Sequence, residues 1–199
     1  MEIELWAAEL TRPLTAEEDA ALARLMPAER RERLDRLQDP EKRREPLCAY
    51  AMLRFALYRR LGWKEFPQIG KNSYGKPCFP EFPAVQFNLS HTKGAVLVGL
   101  HEEPLGVDIE KIRPVSERTR KRLAGVSTEK EFYESWVRRE ARVKREGNGV
   151  GTMLAEETPL QYGEYFHYLE TFPGYVAGLS TRSAALPGKI QKFSLEDML

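Results

Sequence analysis

The sequence predicts an α+β fold in which antiparallel sheets pack against helices. Apolar residues alternate or run together at residues 85–90 and 95–100 around a turn at residues 92–94, which predicts a β-hairpin. A second hairpin is predicted at residues 165–170 and 175–180. Leu89, Gly94 and Val96 of the first hairpin align with Leu169, Gly174 and Val176 of the second. The second hairpin therefore repeats the first at these positions.

The N-terminal part begins with a strand and two helices. The strand is expected at residues 3–7. Thr15 and Glu18 match a capping box, which predicts that a helix begins there and runs to about Leu25. Pro27 is typical of the first turn of a following helix, whose basic edge flanks an apolar stripe.

A longer helix is predicted from near Pro46 to Leu61, with Gly62 as its stop. Its apolar stripe consists of Tyr50, Leu53, Leu57 and Leu61. Residues 62–83 are rich in Gly and Pro, which indicates a loop with short extended pieces. The first hairpin is expected to continue into a strand at residues 106–110 as a three-stranded meander.

Composition and charge exclude several classes of protein. The 199 residues with 42% hydrophobic content can bury a substantial core. Lys+Arg at 31 against Asp+Glu at 30 argues against a globally basic nucleic-acid binder. The apolar segment 94–100 is too short to span a bilayer, and the N-terminus lacks the features of a secretion signal, so we expect a cytoplasmic protein. Cys48 and Cys78 have no metal-ligand spacing and suit free thiols.

Two carboxylates in the strand at 106–110 suggest half of a metal site. Side chains alternate along a strand, so Asp108 and Glu110 point one way while Val107 and Ile109 point into the core. Two ionised carboxylates at such a short distance repel each other unless a cation lies between them. Oxygen ligands of this kind suit a hard ion such as Mg²⁺.

A helix further along the chain offers the other half. Phe132, Trp136, Glu140 and Lys144 recur every four residues and share one helical face. Glu140 can complete a three-carboxylate cluster, and Lys144 can reach anionic oxygen on a bound phosphate. The plainer alternatives are a solvated strand edge and an ordinary surface Glu–Lys pair.

Five short motifs occur in order between residues 75 and 149. They are Gly75-Lys76-Pro77, Asn88-Leu89-Ser90-His91, residues 106–110, residues 136–144 and Gly147-Asn148-Gly149. This ordered set resembles the Sfp-type 4′-phosphopantetheinyl transferases. The resemblance implies a 4′-phosphopantetheinyl transferase fold, with two similar halves related by a pseudo-twofold axis and coenzyme A between them. We place the halves at residues 1–103 and 104–199.

The resemblance also implies a reaction. An enzyme of this family moves the 4′-phosphopantetheine arm of coenzyme A onto a serine of an acyl or peptidyl carrier protein, releasing adenosine 3′,5′-bisphosphate. Asp108, Glu110 and Glu140 are the implied Mg²⁺ ligands, and Glu140 and Lys144 the catalytic residues. Whether Glu140 acts as a metal ligand, as the base for the serine proton, or as both is left open.

The coenzyme A contacts are carried over position by position. Arg30 and Arg33 match a spacing of basic residues that the family has in its second helix. The family also has an arginine near the start of the long helix, and in this chain Glu45 occupies that position, so the neighbouring Arg44 is the nearest candidate. The full set of expected contacts is Arg30, Arg33, Arg44, Lys76, Pro77, Ser90, His91 and Lys144.

The chain departs from the family pattern in two places. Arg139 stands where lysine is usual, and the segment at residues 113–132 is shortened. These departures motivate an alternative, a non-catalytic homologue that binds coenzyme A or a carrier protein. A Mg²⁺-dependent phosphohydrolase or nuclease is a further alternative, although it would not require the motifs at residues 75–77 and 88–91. The single-chain, two-halved family favours a monomer.

Overall fold

Runs of strands and runs of helices follow one another along the chain in the computed structural model, which describes residues 2–147 and 159–199. The strands are β1 (Glu4–Glu9), β2 (Gly70–Lys71), β3 (Pro77–Cys78), β4 (Gln86–Thr92), β5 (Ala95–His101), β6 (Leu105–Lys111), β7 (Tyr165–Leu169), β8 (Tyr175–Thr181) and β9 (Gln191–Phe193). The helices are α1 (Ala16–Arg24), α2 (Ala28–Asp35), α3 (Pro40–Leu61), α4 (Glu117–Ala124) and α5 (Glu129–Glu146). The predicted α+β class is confirmed.

The first sheet has the strand order β4-β5-β1-β9 and carries α3 on one face. Strand β1 lies antiparallel to β5 and parallel to β9. The buried side of α3, including Leu47, Met52 and Leu53, packs into a core with Trp6 and Val98 from the sheet. This burial of apolar surface holds the helix to the strands.

Capping residues set the ends of the helices. Thr15 and Glu18 form the predicted capping box of α1. The predicted start of α3 is wrong: the helix begins at Pro40, with Asp39 as its N-cap, and Pro46 lies inside it. Proline within a helix removes one backbone hydrogen bond. The buried apolar face of α3 offsets that loss.

The second sheet has the strand order β6-β8-β7, with α5 packed across β6 and β8. The predicted meander is wrong at its third strand. Strand β6 pairs antiparallel with β8, and the second neighbour of β5 is β1. Both pairings join strands far apart in sequence, which the local hydrophobic pattern does not specify.

The chain follows the same path in both sheets. A first strand, a helix and a hairpin occur as β1, α3, β4–β5 and again as β6, α5, β7–β8. In each case the first strand pairs with the last. The residue that follows the first strand donates to the turn glycine: Leu10 N lies 2.8 Å from Gly94 O, and Ile112 N lies 2.9 Å from Gly174 O. The predicted second hairpin is confirmed.

The C-terminal segment returns to the first sheet. Strand β9 pairs with β1, and a short 3₁₀ helix at Glu196–Met198 places Leu195 and Met198 in the core beneath α3. Across residues 2–147 and 159–199, no helix has both the length and the apolar character needed to cross a membrane.

Candidate active site

The alternation predicted for β6 is present. Val107 and Ile109 are fully buried in the core between the sheets. Asp108 is 1% exposed and Glu110 is half-buried on the opposite face. Both carboxylates therefore lie on the face that meets β4 and α5.

Gly106 allows α5 to approach β6 closely. A Cβ atom at this position would lie 1.9 Å from Ala141 O and 2.4 Å from Arg145 N, distances that real Cβ contacts do not show. The absence of a side chain at Gly106 brings the helix backbone against the strand. Glu140 and Lys144, which flank this contact on α5, thereby reach Asp108.

Strands β4 and β6 belong to different sheets, yet polar side chains of β4 connect them. Asn88 Oδ1 accepts from Val107 N at 2.8 Å, and Ser90 Oγ accepts from Ile109 N at 3.3 Å. Thr92 Oγ1 donates to Glu110 Oε2 at 2.9 Å. We refer to Asn88, Ser90 and Thr92 as the seam. These side chains do what backbone hydrogen bonds do within a sheet, and they fix β6 beside the first sheet.

Asp108, Glu110 and Glu140 form an acidic cluster, and Lys144 lies within it. Its Nζ atom is 2.6 Å from Asp108 Oδ1, 2.9 Å from Ser90 Oγ and 3.3 Å from Glu140 Oε2. Ser90 Oγ also donates to Asp108 Oδ1 at 2.7 Å. With one donated and two accepted hydrogen bonds, the Ser90 hydroxyl is fully satisfied.

The cluster changes the pKa values of its members. Burial and the nearby Asp108 charge raise the pKa of Glu140 to about 7. Burial and Asp108 also raise the pKa of Glu110. Burial opposes protonation of Lys144, but Asp108 and Glu140 outweigh it and raise the pKa of the ammonium. Carboxylates with raised pKa values are stabilised by additional positive charge.

The donor set fits a hard cation. Asp108 Oδ2 is buried and has no hydrogen-bond partner within the described part of the chain. A buried carboxylate oxygen without a partner is costly, and an oxygen-seeking cation would satisfy it. Within residues 2–147 and 159–199, no group of three or more His, Cys, Asp or Glu side chains lies in an arrangement that could hold a metal ion. Lys144 lies between Asp108 and Glu140 instead.

The Gly75-Lys76-Pro77 segment packs against the end of α5. Lys76 is buried, and its Nζ donates to Leu105 O at 2.8 Å and to Arg145 O at 3.2 Å. Burial lowers the pKa of Lys76 to about 8. Pro77 is half-buried in β3. Gly147 ends α5 with φ +83°, and a Cβ there would lie 3.1 Å from Tyr74 Cβ. Asn148 and Gly149 of the last motif lie outside the described residues.

The three predicted arginine contacts lie in the N-terminal helices. Arg30 is buried with its guanidinium 5.2 Å from the ring centroid of Tyr50. Its Nε and Nη2 atoms have no hydrogen-bond partner among the described residues. Arg33 is exposed and pairs with Glu29 at 3.1 Å. Arg44 donates to Arg12 O at 3.2 Å and to Glu45 at 2.7 Å.

The structure separates the two polar residues at the end of the Asn88–His91 motif. Ser90 faces β6, whereas His91 is exposed on the opposite face of β4. The sequence analysis missed Asn88 and Thr92 as contributors to the site. For Asn88 the signal was available, because polar residues at positions 88 and 90 alternate with apolar ones in the strand predicted at residues 85–90, whereas Thr92 was placed in the predicted turn.

Comparison with known proteins finds relatives that are transferases. No protein-family model matches it. The chain is 27% identical to the 4′-phosphopantetheinyl transferase Sfp of Bacillus subtilis, over 96% of this chain and 97% of that protein. It is also 27% identical over the same shares to the B. subtilis transferase ffp. Similarity at 28% identity extends to the transferase HetI of a Nostoc species, over 80% of this chain and 74% of HetI.

The chain is therefore similar to the Sfp-type transferases over nearly its whole length. It is an enzyme of the 4′-phosphopantetheinyl transferase type. Arg139 is half-buried in α5, and the short connection before that helix contains α4. The alternative of a non-catalytic homologue therefore has no support from the named relatives, each of which is a transferase.

Proposed function

We propose that the protein transfers 4′-phosphopantetheine from coenzyme A to a serine of an acyl or peptidyl carrier protein, with Mg²⁺, and releases adenosine 3′,5′-bisphosphate. One observation carries the proposal. Asp108, Glu140 and Lys144 meet in a half-buried cluster in which Asp108 Oδ2 has no hydrogen-bond partner among the described residues. A cluster of carboxylates beside an ammonium group suits a substrate that brings phosphate and a divalent cation.

Asp108 and Glu110 are the residues that would hold the metal, with Glu140 as a third ligand if it does not act as the base. When bound, Mg²⁺ would neutralise charge on the pyrophosphate of coenzyme A. The chain's own residues supply the rest of the chemistry. Thr92 keeps the Glu110 carboxylate in place by a 2.9 Å hydrogen bond to its Oε2 atom, and the exposed guanidinium of Arg113 lies 3.6 Å from the same atom.

Glu140 is the candidate base for the serine proton. Its pKa, raised to about 7 by burial and by Asp108, suits a group that accepts a proton near neutral pH. The serine oxygen forms a bond to the β-phosphorus while the bond from that phosphorus to the bridging oxygen breaks. The serine proton passes to Glu140. Lys144 then stabilises the negative charge that develops on the departing phosphate.

Coenzyme A would lie in a cleft between two halves, residues 1–103 and 104–199, related by a pseudo-twofold axis. The shared strand–helix–hairpin path of the two sheets supports that relation. Arg30, Arg33 and Arg44 would approach its phosphates, with Lys76, Pro77 and His91 nearby. The unpartnered Nε and Nη2 atoms of Arg30, taken within the described chain, suit an anionic ligand. We further propose a cytoplasmic monomer.

Intact-protein mass spectrometry tests the function directly. An apo acyl carrier protein is incubated with coenzyme A, Mg²⁺ and the wild-type protein, with Asp108→Asn, or with Glu81→Gln. Glu81 is an exposed acid and serves as the matched control for charge removal. We expect a mass gain of one phosphopantetheine with the wild type and with Glu81→Gln. The gain should disappear with Asp108→Asn or with a chelator.

The possible results separate the alternatives. No gain on several acyl and peptidyl carriers, despite binding of coenzyme A, would refute the transferase function. A full mass gain with Asp108→Asn would be consistent with the transferase function but would show that Asp108 is not required for it. Hydrolysis of coenzyme A or of DNA without transfer would point to a phosphohydrolase or nuclease.

A further inference from the structure

Thr92 differs from the other two members of the seam. Asn88 and Ser90 accept hydrogen bonds from backbone N–H groups of β6, whereas Thr92 reaches a side chain, Glu110. Thr92 is 8% exposed, and its hydroxyl donates to Glu110 Oε2 at 2.9 Å. A buried hydroxyl in a strand has few rotamers, so this bond fixes the carboxylate with little loss of conformational entropy.

The surroundings of Glu110 explain why a fixed partner matters. In the described part of the chain, the other group at this oxygen is the guanidinium of Arg113, 3.6 Å away on a side chain that is 54% exposed. Arg113 draws the carboxylate toward solvent, and the negative charge of Asp108 on the same face repels it. A flexible glutamate without the Thr92 bond would turn away from Asp108.

We propose that Thr92 is a positioning residue that holds the Glu110 carboxylate beside Asp108 for binding of a divalent cation. This inference rests on the proposed function, because it assumes that Glu110 is a metal ligand. Hydrogen bonds that orient ligating carboxylates typically change metal affinity by about 10–100-fold when they are removed. Thr92 would then act through Glu110 without contacting substrate.

Three variants test this role. Thr92→Val removes the hydroxyl and keeps the shape, while Thr92→Ser keeps the hydroxyl. Thr171→Val is the matched control, because Thr171 is also buried but its Oγ1 has no hydrogen-bond partner among the described residues. The measurement is binding of Mn²⁺, as a substitute for Mg²⁺, by electron paramagnetic resonance with coenzyme A present. Thermal unfolding without metal reports the fold of each variant.

We expect Thr92→Val to bind Mn²⁺ about 10-fold more weakly. Thr92→Ser and Thr171→Val should bind it as the wild type does. The Mg²⁺ concentration for half-maximal transfer should rise in Thr92→Val alone.

Wild-type affinity in Thr92→Val would overturn the inference, and so would weak binding in Thr92→Ser, since packing rather than the hydroxyl would then matter. A wild-type protein that binds no Mn²⁺ would overturn both this inference and the metal assignment. If that protein still transferred phosphopantetheine, mass spectrometry would show it, so failure of the metal assignment can be distinguished from failure of the proposed transferase function.

Discussion

Replacing Gly106 with alanine should separate α5 from the carboxylates of β6. The new Cβ would lie 1.9 Å from Ala141 O, whereas real Cβ contacts are not found under 3.0 Å. The helix must therefore move by more than about 1 Å, because the opposing atom is backbone and has no rotamer to change. A displacement of about 1 Å at a catalytic group can cost on the order of 10²-fold in rate.

The assay compares transfer rates and unfolding in Gly106→Ala, Gly70→Ala and the wild type. Gly70 is the matched control, because a Cβ there would lie 2.6 Å from Pro80 Cγ, a side-chain atom outside the acidic cluster. Overpacking costs typically about 1–3 kcal/mol in the free energy of unfolding. We expect both variants to lose stability to that extent, and only Gly106→Ala to lose about 100-fold in kcat at a temperature where both are folded.

Two results would refute this reasoning. A folded Gly106→Ala protein with the wild-type rate would show that the contact between α5 and β6 does not set the positions of Glu140 and Lys144. An equal loss of rate in Gly70→Ala would show that general destabilisation is the cause. Measurement at several temperatures below the unfolding transition distinguishes a misplaced helix from partial unfolding.

Two further predictions concern the dependence of rate and stability on pH. The rate of transfer should rise with pH through about 7 as Glu140 loses its proton. Glu140→Gln should lower the rate by about 10²–10⁴-fold and remove this pH dependence, and an unchanged pH profile in the variant would exclude Glu140 as the base. Glu164 is ion-paired with Arg142 at 2.8 Å and Arg145 at 2.9 Å, and Glu164→Gln should cost roughly 3–5 kcal/mol in urea unfolding at pH 7. That cost should shrink in acid, and an equal cost at pH 7 and pH 3 would contradict the ion-pair role.

The direction of the Glu164 pKa shift follows from its surroundings. Burial alone would raise the pKa of the carboxyl, but hydrogen bonds from Arg142 and Gln161 and the charge of Arg145 bring it below its usual value. A group whose pKa is lower in the folded protein contributes its stability above the unfolded pKa and loses it as the pH falls through the folded pKa. The wild type should therefore approach the variant in stability at low pH.

Local patterns predicted the parts of the site that depend on one element. The period of two in β6 placed Asp108 and Glu110 on one face, and the period of four in α5 placed Glu140 and Lys144 on another. The predicted capping box of α1 is likewise local, because it joins residues three apart. For such features the sequence contains the relevant spacing directly.

Features that join distant residues were not predictable in the same way. The meander prediction failed because β6 pairs with β8, more than sixty residues later in the chain. The motif containing Ser90 suggested a ligand contact, but the periodicity of one strand could not show that its hydroxyl is satisfied by Asp108 and Lys144. The start of α3 was misplaced because Pro46 was read as a boundary although the helix tolerates it.

The charges of the cluster explain how these local and long-range features combine. Three carboxylates, those of Asp108, Glu110 and Glu140, lie near one ammonium group, so the cluster has more negative than positive charge when all of them are ionised. The seam and the close contact at Gly106 hold these groups together despite their repulsion. Lys144 relieves part of the repulsion but leaves Asp108 Oδ2 without a partner among the described residues. A divalent cation would balance the remaining charge, which supports the proposed metal-dependent transfer.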